Sequence, residues 1–364
     1  MKLYSGIIVS MLVLSLGLQS GMKYREVFSI DIAAQPGIQI YYTGTGWLMV
    51  SQSNSKFPVK VASIKESGSV AWERTFAFPA VAIIPDAGGA MILDENGSFY
   101  RVTSSGSVED NLLGIVEPGR NVIEKSRSGL IYASGGDSIT CFKSDGNVEW
   151  MSMGFETVMN IFSIDDSLIA SNSSGNLVKL NSEGEKVWEV EVDGFAAAHP
   201  YVLPDGNLVY GIRDSMGKKG KIFEISMDGQ IIWETDTGYG VNQIFGVRDG
   251  FFSIGNDYIS SLDAGGKIEW EQSFEGSKKL VPLGFNDDSQ MVLGILNSGD
   301  KDDSFKITLL DWGGTISVAC KIPVGKNQFV GASRIDKLLL IAERDAGTVY
   351  RLMTMKEYLE KINN

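Results

Sequence analysis

A glycine followed four residues later by a tryptophan recurs along the chain, each time after a short polar turn. Five segments carry both residues: Gly68 and Trp72, Gly146 and Trp150, Gly184 and Trp188, Gly229 and Trp233, and Gly266 and Trp270. Two further segments keep the glycine, at Gly106 and Gly314, and have Asp110 and Val318 in the tryptophan position. Consecutive glycines lie between 37 and 48 residues apart. A period of this length predicts a repeat architecture rather than a series of unrelated domains.

Each repeat unit divides into four short strands. Residues 158–163, 168–172, 177–181 and 186–192 illustrate this, because apolar and polar residues alternate in each stretch as in a half-buried strand. The Ser-Asp-Gly and Glu-Gly turns supply the positive φ that a tight hairpin needs. A four-stranded unit of this length, repeated around a ring, is typical of a β-propeller.

The two ends of the chain complete the repeat count. After Gly314 the sequence contains three strand-like stretches, at residues 328–333, 337–342 and 348–353, and lacks a fourth. Residues 24–32 resemble the outer strand of a repeat, so the N-terminal strand would pair with the last unit and protect its free edge. We therefore expect one all-β domain at residues 24–355, an eight-bladed β-propeller of four-stranded antiparallel blades closed by the N-terminal strand. Seven blades with a loose end are the alternative, and residues 356–364 would form a short helical tail.

The repeated glycines and tryptophans are interpreted as structural. A tryptophan at the start of the outermost strand can fill the gap between one blade and its neighbour, which buries on the order of 200 Å² per ring. We therefore assign no ligand contact to these rings, and Trp47 and Trp312 lie outside the repeated position.

The strand, the Asp-x-x-x-Gly type of turn and the Gly-x-x-x-Trp spacing resemble the pyrroloquinoline-quinone-like repeat family. WD40 repeats are less similar, because their Gly-His and Trp-Asp pairs are missing. The quinone-dependent branch of the family implies an axial cofactor, calcium, a catalytic aspartate and often a disulfide between adjacent cysteines. Cys141 and Cys320 are far apart in sequence, and we expect two separate thiols. The resemblance therefore favours the non-catalytic branch, which includes the propeller lipoprotein of the outer-membrane barrel-assembly machinery, although a lipid-anchor cysteine is lacking.

The first twenty residues predict a location outside the cytoplasm. Lys2 precedes an apolar run at residues 7–18, which is short for a membrane span and typical of a signal-peptide core. Residues 1–20 would be a cleaved signal peptide or a retained anchor, and the membrane would be contacted through this segment alone.

The composition argues against several kinds of chemistry. The net charge of −13 disfavours nucleic acid as a partner, because phosphate binding needs a concentrated basic surface. The sequence has one histidine, His199, and contains no nucleophile elbow, no phosphate-binding loop and no complete calcium-loop pattern. We expect a monomer that is not an enzyme and that has no catalytic residues, cofactor or metal.

The longest repeats indicate where a partner could bind. Their extra residues, at 213–220 and 297–303, lie between the second and third strands, as does a loop at 52–57. In a four-stranded meander these loops emerge on the same face as the connections between blades, and insertions on one shared face often mark the binding side. The candidate rim and channel-mouth residues are Arg213, Lys218, Lys219, Lys221, Asp300, Asp302, Asp303, Arg120, His199 and Asn242.

We therefore expect an extracytoplasmic scaffold that binds protein or a cell-envelope polymer. A propeller enzyme with an axial site, such as a quinoprotein dehydrogenase or a lyase, and a small-ligand sensor are the alternatives.

Overall fold

The structure is a computed structural model, and a defined part of the chain can be described from it. The described residues are 23–31, 39–42, 46–51, 59–65, 67, 69–78, 80–86, 89–94, 96–110, 122–144, 146–173, 175–192, 194–196, 200–214, 216–247, 250–286, 289–297, 303–325, 329–335, 338–343 and 346–353. The expected signal segment at residues 1–20, the tail at 356–364 and the repeat glycine Gly68 lie outside them.

The described residues form strands in chain order, beginning with β1 (Lys23–Asp31). The next four sheets are, in turn, β2 (Gln39–Tyr42), β3 (Gly46–Ser51), β4 (Val59–Lys65) and β5 (Val70–Phe76); β6 (Ala80–Asp86), β7 (Gly89–Asp94), β8 (Phe99–Val102) and β9 (Val108–Asp110); β10 (Ile123–Lys125), β11 (Ile131–Gly135), β12 (Ser138–Phe142) and β13 (Val148–Met153); and β14 (Val158–Ile164), β15 (Ser167–Asn172), β16 (Asn176–Leu180) and β17 (Lys186–Glu191). We call these sheets 1 to 4.

The second half of the chain continues the same order. Sheets 5 to 8 are β18 (Phe195–Ala196), β19 (Tyr201–Val202), β20 (Leu208–Arg213), β21 (Gly220–Ile225) and β22 (Ile231–Thr237); β23 (Gln243–Val247), β24 (Gly250–Ile254), β25 (Tyr258–Asp263) and β26 (Ile268–Ser273); β27 (Ser277–Phe285), β28 (Met291–Asn297), β29 (Asp303–Leu310) and β30 (Ile316–Val324); and β31 (Phe329–Ile335), β32 (Leu338–Glu343) and β33 (Ala346–Met353). In sheet 5, β18 and β19 both pair with β20.

Sheet 8 takes its fourth strand from the beginning of the chain. β1 pairs antiparallel with β33 over eight residue pairs, from Lys23 opposite Met353 to Asp31 opposite Ala346, with one register shift between Glu26 and Phe28. The pairing expected between the N-terminal strand and the last strand-like stretch is therefore present.

The core lies between the sheets rather than at one centre. Among the described residues, seven apolar clusters each join residues of two consecutive sheets: sheets 1 and 2, 2 and 3, 3 and 4, 4 and 5, 5 and 6, 6 and 7, and 7 and 8. β2 of sheet 1 lies against β31 of sheet 8. Middle strands are buried on both faces, as in β7, β11 and β24, whose residues are all buried. An all-β propeller of four-stranded antiparallel blades is confirmed.

The repeated tryptophan contacts the repeated glycine of the next sheet. Trp72 of β5 donates its indole N–H to the carbonyl of Ser104 in sheet 2 over 3.0 Å. Its ring covers Gly106, where an added Cβ would lie 2.6 Å from Trp72 Cγ. Gly106 also has a φ of +80°, so this position requires glycine both for its backbone conformation and for the ring that lies on it.

The same contact recurs around the molecule. Three more tryptophans donate their indole N–H to a backbone carbonyl of the next sheet: Trp150 to Ser182 at 2.7 Å, Trp188 to Met227 at 2.9 Å, and Trp270 to Trp312 at 2.8 Å. Trp233 differs, because its N–H donates to Glu224 of its own sheet while its ring covers Gly266. The Gly-x-x-x-Trp spacing thus encodes a contact between neighbouring sheets.

The two cysteines lie in different sheets. Cys141 is in β12 and Cys320 in β30, and no disulfide joins them, as expected from their separation. Cys141 is fully buried, and this burial raises the pKa of its thiol to about 12. At neutral pH it is therefore a protonated, apolar part of the core between sheets 3 and 4.

Candidate functional site

The loop between β20 and β21 is held in a defined hairpin. The Asp214 carboxylate accepts hydrogen bonds from the backbone N–H of Lys218 at 2.8 Å and of Met216 at 3.1 Å. The N–H of Lys218, followed by other backbone groups of the loop, holds the pKa of Asp214 below its ordinary value. An ionised Asp214 therefore closes the hairpin at neutral pH, which fixes the two lysines that follow it.

This hairpin rests on the connection between sheets 5 and 6. The N–H of Gly240 donates to the Gly217 carbonyl over 3.2 Å, and a Cβ at Gly240 would lie 2.6 Å from that oxygen. The N–H of Val241 donates to the carbonyl of Ile212 over 3.3 Å. The loop and the connection therefore lie side by side on one face, which we call the connection face.

Tyr239 anchors that connection in the body of sheet 6. Its ring stacks on Tyr258 with centroids 5.4 Å apart, and its hydroxyl donates to Ser260 Oγ over 2.7 Å. Ser260 in turn donates to the Glu271 carboxylate over 3.2 Å. Burial raises the pKa of Tyr239 to about 12, so its hydroxyl remains a donor at neutral pH.

A polar chain joins sheets 5 and 6 on the connection face. Arg213 at the end of β20 donates to Asn242 Oδ1 over 3.0 Å, and Asn242 Nδ2 donates to Asn256 Oδ1 over 2.9 Å. Lys218 and Lys219 are exposed beside this chain. Within the described residues, no carboxylate forms a salt bridge with either lysine. We call Arg213, Lys218, Lys219, Asn242 and Asn256 the connection-face rim.

The other candidate residues fall elsewhere. Lys221 points away from the rim to β22, where it pairs with Glu234 at 3.3 Å and Asp236 at 3.9 Å, so its charge is already compensated. Asp303 opens β29 and is 2% exposed, which removes it from the exposed acidic loop expected from the sequence. Arg120, His199, Asp300 and Asp302 lie outside the described residues, as do the loop at 52–57 and most of the loop at 297–303.

Sequence reasoning missed three members of this arrangement. Asn256 lies in the turn between β24 and β25, and Asp214 and Tyr239 fix the backbone on which the rim is built. The Asp-x-x-Gly pattern at residues 214–217 repeats the turn chemistry of the other hairpins and could have identified Asp214. Asn256 and Tyr239 carry no comparable local signal, because their partners are distant in sequence.

One group of paired charges joins the innermost strands of two neighbouring sheets. The first strands of neighbouring sheets contact each other, as β6 and β10 do, which places them nearest the axis. Asp86 at the end of β6 pairs with Lys125 at the end of β10 and with Arg101 Nε of β8 at 3.1 Å. This arrangement links sheets 2 and 3.

Two negative findings apply to the residues that the structure describes. They contain no group of three or more His, Cys, Asp or Glu side chains close enough to hold a metal ion. They also contain no helix with the length and apolar character that crossing a bilayer requires.

Many solved structures have a similar fold, and three of them illustrate the similarity. BamB from Moraxella catarrhalis is 16% identical, with a TM-score of 0.62, over 90% of this chain and 98% of that chain. The computationally designed protein Ika8 is 13% identical, with a TM-score of 0.66, over 90% of this chain and 99% of that one. The C-terminal WD40 domain of Sif2 is 11% identical, with a TM-score of 0.68, over 92% of this chain and 99% of that domain.

At these identities the similarity is one of fold: the chain is a propeller like BamB and like a WD40 domain. No protein-family model and no curated protein matches the sequence. The resemblance to the pyrroloquinoline-quinone-like repeat therefore rests on the repeat residues alone.

Proposed function

We propose that this protein is a non-catalytic scaffold outside the cytoplasm, and that its connection-face rim binds an acidic group of a protein or a cell-envelope polymer. The observation that carries the proposal is the pair of exposed lysines, Lys218 and Lys219, on a hairpin fixed by Asp214 and Gly240. Two adjacent cations on a rigid loop of a chain with a net charge of −13 form a local field that attracts anionic partners.

The fold is compatible with this role. Propellers present their loops on two faces of a rigid ring, and loops on a rigid scaffold are common binding elements. The Gly-x-x-x-Trp resemblance to the non-catalytic branch of the pyrroloquinoline-quinone-like family and the fold similarity to BamB both support a scaffold. The apolar run after Lys2 supports export across a membrane.

We also infer that the chain forms one monomeric ring of eight blades, rather than seven with a loose end. The eight sheets, the apolar clusters between consecutive sheets and the pairing of β1 with β33 support this count. Among the described strands, pairing with β1 covers the edge of β33 that would otherwise stay open.

A charge-reversed rim is expected to lose its partner. A photo-reactive amino acid placed at Met216, which is 69% exposed beside the lysines, would be crosslinked in intact cells of the source organism. We expect the adduct yield to fall about fivefold or more in Lys218→Glu/Lys219→Glu, because the rim's attraction for an anionic group is reversed. Protease digestion of the adduct then separates a protein partner from a polymer.

The matched control is Lys65→Glu/Lys267→Glu, which makes the same change of charge at turns on the opposite face. Lys65 ends β4 and Lys267 lies in the turn before β26, and both are exposed. Equal adduct yields from the two double variants would contradict the rim. Bound quinone with stoichiometric calcium in the purified protein would contradict the scaffold and favour the propeller enzyme.

A further inference from the structure

The outermost strand of a propeller blade has one edge that no strand of its own sheet covers. Such edges can pair with foreign strands, and charged side chains on them prevent this. In four sheets the residue after the repeated tryptophan is glutamate: Glu73, Glu189, Glu234 and Glu271. In sheet 3 the residue after Trp150 is Met151, so β13 has no charged side chain at this position.

The apolar side chains of β13 are accessible. Met151 is 54% exposed and Met153 is 64% exposed. The two residues are two positions apart, so they project from the same face of the strand. Exposed methionines are flexible and polarisable, and they are common on surfaces that bind apolar peptide side chains.

The backbone of β13 is available on its outer edge. Its other edge pairs with β12, from Phe142 opposite Val148 to Ser138 opposite Met153. Among the described strands, none pairs with the outer edge. The edge therefore presents N–H and C=O groups at the spacing that an added strand requires.

The Met153 end of this edge is acidic. Asp137 and Glu156 are both exposed there, and the Asp137 carbonyl accepts hydrogen bonds from Gly154 and Phe155 at 3.0 Å each. Within the described part of the chain, neither carboxylate is paired with a lysine or arginine. At the other end of β13, Lys143 and Glu149 pair with each other.

We propose that the outer edge of β13 binds an extended segment of a partner polypeptide by strand addition. Alternate apolar side chains of that segment pack on Met151 and Met153, and a lysine or arginine beyond its last apolar residue lies near Asp137 and Glu156. This surface is separate from the connection-face rim, and the proposal stands whether or not the rim binds a partner.

The test uses the full folded chain and a defined probe. The probe is a fluorescein-labelled decapeptide with valine at alternate positions, threonine between them and two lysines at one end. Fluorescence anisotropy is expected to show saturable binding. A control peptide with proline at two central positions is expected to bind at least about tenfold more weakly, because proline cannot donate the backbone hydrogen bonds of an added strand.

Two variants locate the binding on β13. In Met151→Glu/Met153→Glu, which introduces charge like that of the other outer strands, we expect the dissociation constant to rise about tenfold or more, because binding would desolvate two carboxylates. The conservative Met151→Leu/Met153→Leu should bind as the original chain does. Ile232→Glu, at a 52% exposed position on the glutamate-bearing β22, is the matched control and should have no effect.

Equal binding of the valine and proline peptides, or equal binding by the original chain and Met151→Glu/Met153→Glu, would overturn the proposal. So would a concentration-dependent dimer in sedimentation that Met151→Glu/Met153→Glu abolishes, because the occupant of the edge would then be a second copy of this chain. Because both methionines are exposed, the melting temperature of each variant should stay unchanged, which separates lost binding from lost folding.

Discussion

A chain that begins at residue 32 is expected to lose on the order of 5 kcal/mol of folding free energy relative to one that begins at residue 23. The deletion removes β1 and its eight residue pairs with β33, and each hydrogen bond of a strand pair contributes about 0.5–1.5 kcal/mol. The urea denaturation midpoint measures the loss. The shortened chain should also aggregate, because the edge of β33 would be left unpaired.

The chain that begins at residue 23 is the control for this deletion. It also lacks the signal segment, but it keeps the whole of β1. Its denaturation midpoint should therefore match that of a chain that begins at residue 21. Equal midpoints for the chains beginning at residues 23 and 32 would mean that β1 contributes nothing to the ring.

Gly106→Ala is expected to destabilise the protein by about 2–4 kcal/mol. An alanine at a left-handed φ costs about 1 kcal/mol, and forcing a methyl group into packed atoms costs about 1–3 kcal/mol more. The added Cβ would lie 2.6 Å from Trp72 Cγ. Urea denaturation of the purified variant measures the change.

Gly154→Ala is the matched control for Gly106→Ala. Gly154 has a φ of +91° and no atom within 4 Å of its added Cβ, so this substitution isolates the backbone cost of about 1 kcal/mol. In a Trp72→Ala background, the cost of Gly106→Ala should fall to the same value, since the ring that it meets is gone. Equal losses for Gly106→Ala in both backgrounds would refute the contact between the sheets.

The sheets could be predicted from the sequence because their signals are local. A turn glycine such as Gly184 and the tryptophan four residues after it recur at the same place in five repeats. The pair marks the turn between the third and fourth strands of a sheet. The role of residues 24–32 was predictable for a related reason: the last sheet lacked one strand, and the N-terminal stretch had the pattern of the missing strand. The contact of each tryptophan with the next sheet's glycine follows from the same spacing once the ring is formed.

The candidate site was less predictable because its members meet through sheet register. Lys221 is near Lys218 and Lys219 in sequence, but pairing between β21 and β22 brings Glu234 and Asp236 to it instead. Asp303 reads as part of a polar loop, yet β29 begins there and buries it. Asn256 belongs to a different sheet from Arg213, and Asn242 connects the two only after the sheets have packed.

The missing glutamate of β13 shows what comparison among the repeats adds. The sequence alone shows Met151 where four other repeats have glutamate, but that difference has no meaning until the strand is known to be outermost. The exposure of Met151 and Met153 then shows that these side chains lie on the surface and are not ordinary core residues.

Ring closure by the N-terminal strand is tested most directly by a disulfide between Ser29→Cys and Thr348→Cys in a Cys141→Ala/Cys320→Ala background. Opposite residues of antiparallel strands have Cα atoms about 4.5–5.5 Å apart, within the range that a disulfide spans. Mass spectrometry of the oxidised protein should show this crosslink in nearly every molecule, and little of it when Ser29→Cys is combined with Leu352→Cys, whose Cα partner is Tyr24. Equal crosslinking of the two cysteine pairs would contradict a ring closed by β1 and β33. The absence of a crosslink between Ser29→Cys and Thr348→Cys would contradict it as well.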